Sequence, residues 1–211
     1  MKYDVVVVAG GKGLRADLGY NKALFLMSNN KTVLENSCEI FFNDTDCEKV
    51  IIVINDEIDF TNDKLLITNG GNERRDSVLN GLNLTTSEYV LIHDAARPYL
   101  HEESLRKLKE ELSNKDAVIL ARKASDTIKV VEDGKITKTL DRNTIYMAET
   151  PQAFKTKLIK RCYKECADIN FTDDASLVES LGYDVYVIND EFDNKKLTSK
   201  EDFKNIWKFK K

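Results

Sequence analysis

The chain has 211 residues, 42% of them hydrophobic and only 2 of them proline, enough to bury a sizeable core in one compact domain. Its 32 Lys and Arg stand against 36 Asp and Glu for a formal net charge of -4, with the two signs interspersed, which argues against a nucleic-acid or anionic-membrane partner. No apolar stretch approaches the ~20 residues that span a bilayer, and the short opening run "YDVVVVAG" begins with an acid and is no signal peptide, so a cytoplasmic protein is expected.

In chain order, the apolar runs "DVVVVAG", "KVIIVIN", "YVLIHDAA" and "DAVILAR" are nearly continuous and rich in β-branched residues, as strands covered on both faces require. Between them, "TVLENSCEIFFND", "RRDSVLNGLNLT" and "HEESLRKLKEEL" carry apolar residues at helical spacing. This alternation predicts an α/β three-layer sandwich around a mostly parallel, Rossmann-like sheet. The pattern breaks after Arg122, where two short alternating strands flank Asp133-Gly134, a hairpin signal. Such an appendage, at about 123–148 of a single domain over 1–211, is either an edge hairpin of the same sheet or an arm that reaches another subunit. The remainder reads as helices over "KTKLIKRCYKECAD" and "TDDASLVESLG", a strand at "DVYVIND", and a final helix "SKEDFKNIWKF" capped by Ser199. Cys38, Cys47, Cys162 and Cys166 form no CxxC pair and have no histidine near them, so they read as reduced thiols rather than a zinc site.

The first strand runs into "AGGKGLRADLGYNK", residues 9–22. A Walker A loop is absent. Gly11, Gly13 and Ala16 match the Rossmann spacing, but Gly19 and Asn21 break the helix that should follow, and Asp56 and Glu57 lie about 40 residues on rather than ~20. What remains is a loop whose Gly10, Gly11 and Gly13 let backbone N–H groups approach a polyphosphate, with Arg15 and Lys22 adding cations. In phosphoryl or nucleotidyl transfer, positioning and charge neutralisation supply most of the rate. "IHDAARP" ends an apolar strand where open parallel sheets bind ligands, and there Asp94 suits either Mg²⁺ or polyol hydroxyls. His93 reads as a hydrogen-bonded strand-end residue rather than a general base.

The ordered blocks "AGGKGLR" with Lys22, "GGNERRDSVLNGL", "HDAARP", "DTIK", "TLDRNTIYMAETPQAF", "TDDAS" and "NKKLT" resemble those of the polyol-phosphate cytidylyltransferases, and among them the 2-C-methyl-D-erythritol 4-phosphate enzymes. The resemblance implies CMP transfer from CTP with Mg²⁺, in a homodimer with shared sites. It implies charge stabilisation by Arg15, Lys22, Arg142 and Lys196, and a CTP site at Ala9, Gly10, Gly11, Gly13, Gly71, Asn72, Arg74, Ser77 and Ala95. It further implies a polyol-phosphate site at Asp94, Arg97, Thr127, Thr150 and Thr172, with Asp94 also the candidate metal ligand and Arg142 reaching the neighbour's site. The chain departs from the family's usual residues at Gly10 (alanine), Asn21 (proline), Asn72 (an acid), Glu149 (glutamine) and Lys195 (apolar). Ribitol-5-phosphate cytidylyltransferases share most of these blocks, and Gly10 is typical of them, whereas "HDAARP", Lys129, "TLDRN" and "TDDAS" side with the methylerythritol enzymes. A catalytically silent nucleotide-binding module is the third reading, motivated by Asn21, Asn72 and Glu149.

Overall fold

The structure, a computed structural model, describes residues 1–10, 19–166 and 171–206. Strand β1 (Tyr3–Val8) has its side chains buried on both faces: Tyr3, Val5 and Val7 join one apolar cluster and Val6 the other. The chain continues through α1 (Val33–Asn43), β2 (Cys47–Val53), β3 (Leu65–Thr68), α2 (Arg74–Asn83), β4 (Tyr89–Asp94), α3 (Glu102–Leu112) and β5 (Ala117–Lys123). It then forms β6 (Lys129–Glu132), β7 (Lys135–Thr139), β8 (Tyr146–Lys155), α4 (Thr156–Glu165), α5 (Asp174–Ser180), β9 (Tyr186–Asn189) and α6 (Lys200–Ile206). The main sheet has the order β3-β2-β1-β4-β8-β5-β9. Strand β8 pairs antiparallel with both β4 and β5, and the other pairings are parallel.

Leu34, Cys38 and Phe41 of α1 and Leu105, Leu108 and Leu112 of α3 cover one face of the sheet. The other is covered by Val78 and Leu82 of α2, Ile159 and Cys162 of α4, and Leu177 and Val178 of α5, completing the three layers expected. Burying each such side chain contributes about 1.5–3 kcal/mol, so the sandwich rests on these two apolar seams. Asp4 is a fully buried carboxylate within β1; it accepts from the N–H groups of Thr86 (2.6 Å) and Ser87 (2.9 Å) and from the Ser87 hydroxyl, satisfying the turn between α2 and β4. All four cysteines are free and buried.

The hairpin forms around Asp133 (φ 48°) and Gly134 (φ 76°), both left-handed as a two-residue turn demands. It is a separate two-stranded sheet rather than an edge of the main one, and Val131 and Ile136 on it are exposed. Strands β3 and β8 carry no pattern that marks them beforehand. β8 contains Pro151 and buries the polar side chains of Glu149, Thr150 and Gln152, yet it lies inside the sheet; its register against β5 shifts between Ile119 and Ala121, beside the proline that has no N–H to give. The polar side chains are matched there. Gln152 donates to Asp173 (2.7 Å) and accepts from the Ala175 N–H (2.9 Å), fastening α5.

Helix α2 approaches β1 closely at Gly81, where a Cβ would lie 2.4 Å from Val6 Cγ1. Gly81→Ala is therefore expected to lower stability by about 1–3 kcal/mol through overpacking, despite alanine's better helix propensity. Urea unfolding with an unchanged m-value would measure it, and a stabilised variant would contradict the close approach.

Candidate active site

A cleft of about 810 Å³ opens at the carboxyl ends of the parallel strands. Val8 pairs with Asp94 at the matched ends of β1 and β4, and from there the strand order runs outward in opposite directions, the switch point at which open α/β sheets bind ligands. Ala9 and Gly10 continue β1 into the cleft, Asn55 and Asp56 continue β2, and Ala95 and Ala96 continue β4.

Asp94 lies on the floor among cations. Its Oδ2 accepts from Lys196 Nζ at 2.6 Å, and Arg74 and Arg97 approach the carboxylate at 3.8 and 3.9 Å. Burial by itself would raise its pKa; Lys196, Arg74 and Arg97 outweigh it and hold the group down at about 2. Arg74 is fixed from the other side by Asp174, a fully buried carboxylate of α5, at 2.7 Å, and Asp174 also accepts from the Tyr163 hydroxyl at 2.5 Å. Arg97 lies behind the floor, buried, donating to the Asn194 carbonyl at 2.7 Å.

His93 is fully buried on the strand below. Its Nε2 faces the Arg97 carbonyl at 3.1 Å, an acceptor only, so this nitrogen carries the proton; Nδ1 then accepts from the Thr150 hydroxyl at 3.1 Å, whose oxygen accepts from the Asp94 N–H at 3.0 Å. Every group in this chain is matched with a neutral imidazole, and burial lowers the His93 pKa to about 4. The histidine orients the floor and faces no reactant.

The opposite wall is the turn that enters α2. The Gly71 N–H donates to Ser77 Oγ at 3.0 Å, and that hydroxyl donates to the Glu73 carbonyl at 3.1 Å, folding the turn back on its own helix. Asp76 lies against Gly71 so closely that a Cβ there would fall 2.1 Å from Asp76 Cβ. Gly71, Asn72, Glu73, Arg74 and Ser77 all line the cleft. Lys22 comes from the third side, in a 3-10 turn (Lys22–Leu24), with Nζ donating to the Leu197 carbonyl at 2.8 Å. Leu197 in turn donates its N–H to the Ala96 carbonyl (2.8 Å), and Asn194 donates to the Thr150 carbonyl (2.8 Å), so the segment bearing Lys196 is fastened to the residues just after β4 and to the middle of β8.

Of the residues named from the sequence, the structure therefore brings together Ala9, Gly10, Lys22, Gly71, Asn72, Arg74, Ser77, Asp94, Ala95 and Lys196. Thr150 and Arg97 stand behind the floor as its supports. Thr172 is exposed outside the lining. Arg142 and Thr127 are exposed by the hairpin, away from this chain's own cleft, with Arg142 donating to the Ser125 carbonyl at 2.9 Å. Gly11, Gly13 and Arg15 lie outside the described residues. Sequence reasoning missed Asp174, the partner of Arg74 from 100 residues away, and Asn55, which accepts from the Gly70 N–H at 2.9 Å. No local spacing signals either pairing.

Among the described residues no three His, Cys, Asp or Glu side chains gather into a metal-binding group. Asp94 is nonetheless an ionised carboxylate on the cleft wall, and Mg²⁺ needs only one or two carboxylates when substrate phosphates supply further oxygens, so the donor set fits a metal that arrives with a polyphosphate.

A cleft at the switch point of an open α/β sheet, with Lys22, Arg74 and Lys196 in its lining and a glycine-rich segment beside it, suits a nucleotide-using enzyme of the nucleotidyltransferase class. The family model IspD, 2-C-methyl-D-erythritol 4-phosphate cytidylyltransferase, matches residues 3–206, and the chain belongs to this family. It is similar to the 2-C-methyl-D-erythritol 4-phosphate cytidylyltransferase of Bacillus licheniformis, at 37% identity over 215 residues covering 96% of this chain and 93% of the relative. The Clostridioides difficile protein of the same name is 34% identical, with 95% and 90% covered. The crystal structure of the Francisella tularensis 2-C-methyl-D-erythritol 4-phosphate cytidylyltransferase superposes with a TM-score of 0.84 at 30% identity, covering 97% of both chains.

The buried neutral His93 sets a pH dependence of stability. An unfolded chain takes up a proton near pH 6.5, and the folded one does so only at about 4, so stability is full above pH 6.5 and falls by roughly 3 kcal/mol as the pH drops through that window. Urea titrations at several pH values should show this slope, and it should flatten in His93→Gln. Equal slopes in the two proteins would show that His93 does not carry it.

Proposed function

We propose that this chain transfers CMP from CTP to 2-C-methyl-D-erythritol 4-phosphate, giving 4-diphosphocytidyl-2-C-methyl-D-erythritol and pyrophosphate, a step of non-mevalonate isoprenoid-precursor biosynthesis. The family match supports it. The observation that carries the chemistry is the meeting of Lys22, Arg74 and Lys196 from three walls of one cleft, with Arg74 and Lys196 beside Asp94.

In this reaction an oxygen of the acceptor's phosphomonoester attacks the α-phosphorus of CTP. The new P–O bond forms as the bond to the α,β-bridging oxygen breaks, and that electron pair leaves on pyrophosphate. A phosphomonoester is already anionic near neutral pH, so no general base is required, in keeping with the buried, fully bonded His93. The protein's work is to hold two mutually repelling anions in line. Lys22, with Arg15, takes the triphosphate and the charge that grows on the leaving pyrophosphate. Lys196, resting on Asp94, receives the acceptor phosphate, while Asp94 stays ionised to accept the polyol hydroxyls or to hold Mg²⁺. Bound Mg²⁺ supplies further charge neutralisation on the phosphates. The turn at Gly71, Asn72 and Ser77 holds the cytidine, with Arg74 bracing it against Asp174.

The chain is read as one domain whose exposed β6–β7 hairpin is a dimerisation arm, so that Arg142 and Thr127 complete the cleft of a second copy. Among the described residues no helix is long and apolar enough to cross a membrane, which accords with a cytoplasmic enzyme.

Pyrophosphate release should require CTP and 2-C-methyl-D-erythritol 4-phosphate together, and kcat/KM with ribitol 5-phosphate should be lower by about tenfold or more. Preference for ribitol 5-phosphate would move the assignment to the related wall-polymer enzymes, and CTP binding without any turnover would mark a silent module. Lys196→Ala should lower kcat/KM by about 10²-fold or more with the fold intact. A mixture of inactive Arg142→Ala and inactive Lys22→Ala chains should regain activity, because one site then holds both wild-type residues; no recovery after verified subunit exchange would show that each chain builds its own site.

A further inference from the structure

Asn21 directly precedes Lys22, and its side-chain amide joins three parts of the chain. Nδ2 donates to the Ala9 carbonyl at 2.8 Å and to Asp56 Oδ2 at 2.8 Å, while Oδ1 accepts from the Ala23 N–H at 3.1 Å. The first bond ties the residue that leaves β1 to the residue that precedes Lys22, closing the neck of the glycine-rich segment between them. The second fastens that neck to the end of β2. The third caps the 3-10 turn that carries Lys22, with Asn21 itself in the extended conformation of a cap residue (φ -63°, ψ 115°).

A primary amide supplies two N–H donors and a carbonyl acceptor on one short stem, and all are used here. Aspartate would keep the acceptor, lose both donors and set a second carboxylate against Asp56; alanine would lose every bond. The bond to Asp56 also occupies a carboxylate oxygen on the wall of the cleft.

We propose that Asn21 is a positioning residue for the nucleotide half of the site. It clamps the neck of the glycine-rich segment and fixes the turn from which Lys22 projects, without touching the reacting atoms. The inference rests on the reading that Lys22 and this segment hold the triphosphate of CTP. It assigns to Asn21 an effect larger on the nucleotide than on the acceptor, because the acceptor-side groups Lys196, Asp94 and Thr150 are fastened by bonds that do not include it, while Lys22 itself donates to the Leu197 carbonyl next to Lys196.

The test uses Asn21→Ala and Asn21→Asp in the full chain, with thermal melts to establish that both are folded. With CTP varied, KM for CTP should rise about tenfold or more in both variants, while KM for the polyol phosphate stays within about twofold of wild type. Hydrogen exchange without substrate should speed up at the Ala23 amide by about tenfold in Asn21→Ala and less in Asn21→Asp, which keeps the acceptor. An unchanged KM for CTP in Asn21→Ala, an equal rise for both substrates, or unchanged Ala23 exchange in Asn21→Ala would each overturn the inference while wild-type turnover stands. Absence of CTP turnover in the wild type would instead overturn the function reading. Should either variant unfold, Asp56→Ala removes the bond that fastens the neck to the end of β2, and unaltered KM for CTP there would also count against the clamp.

Discussion

Asp94 places a single ionised carboxylate among Lys196, Arg74 and Arg97 at the mouth of a buried strand, and the arrangement of the cleft depends on that charge. Three cations gathered without it would repel one another and drift toward water. With it, Lys196 and Arg74 are held side by side on the cleft and Arg97 is held behind its floor. The carboxylate is kept ionised by these partners against the penalty of burial. Its backbone is fixed too, because the Asp94 N–H ends the chain of bonds through Thr150 and the neutral His93 to the Arg97 carbonyl.

This hub explains why β8 and the segment after β9 lie where they do. Strand β8 enters the sheet antiparallel between β4 and β5 and brings Thr150 under Asp94. The segment at Asn194–Leu197 is tied to Thr150, Arg97 and Ala96, so Lys196 reaches Asp94 and the Leu197 carbonyl reaches Lys22. Glu149 is buried beside Arg122 (3.2 Å), with Arg97 at 4.0 Å, and burial pushes its carboxyl up in spite of them. A residue that reads as a departure in the sequence thus forms part of the packing beside Arg97, behind the cleft floor.

The walls at Gly71 and Lys22 are organised differently, by short-range turns rather than by a buried charge. Ser77 folds the Gly71 turn onto α2, and the Asn21 amide closes the neck before Lys22. These turns meet the Asp94 floor where Lys22 donates to the Leu197 carbonyl, next to Lys196. The hairpin contributes nothing to its own chain's cleft; its exposed Val131 and Ile136 give it an apolar face directed outward.

Much of this molecule was legible in its amino-acid order. Continuous β-branched runs alternating with amphipathic segments are sufficient to require a covered, mostly parallel sheet, because no other arrangement buries both faces of such strands. The Asp133-Gly134 turn, the Ser199 cap and the strand ends at Gly10 and Asp94 that line the cleft follow from equally local chemistry. Strand β8 was not legible, since Glu149, Thr150, Pro151 and Gln152 contradict strand patterning until their partners on other elements are in place. Nor were the pairings of Arg74 with Asp174, Lys196 with Asp94, and Asn21 with Ala9 and Asp56. Residue type and spacing determine which groups can bind phosphate; which carboxylate or carbonyl holds each of them is decided only when strands distant in sequence lie side by side, because a hydrogen bond or ion pair acts over a few ångströms of space and carries no signature along the chain.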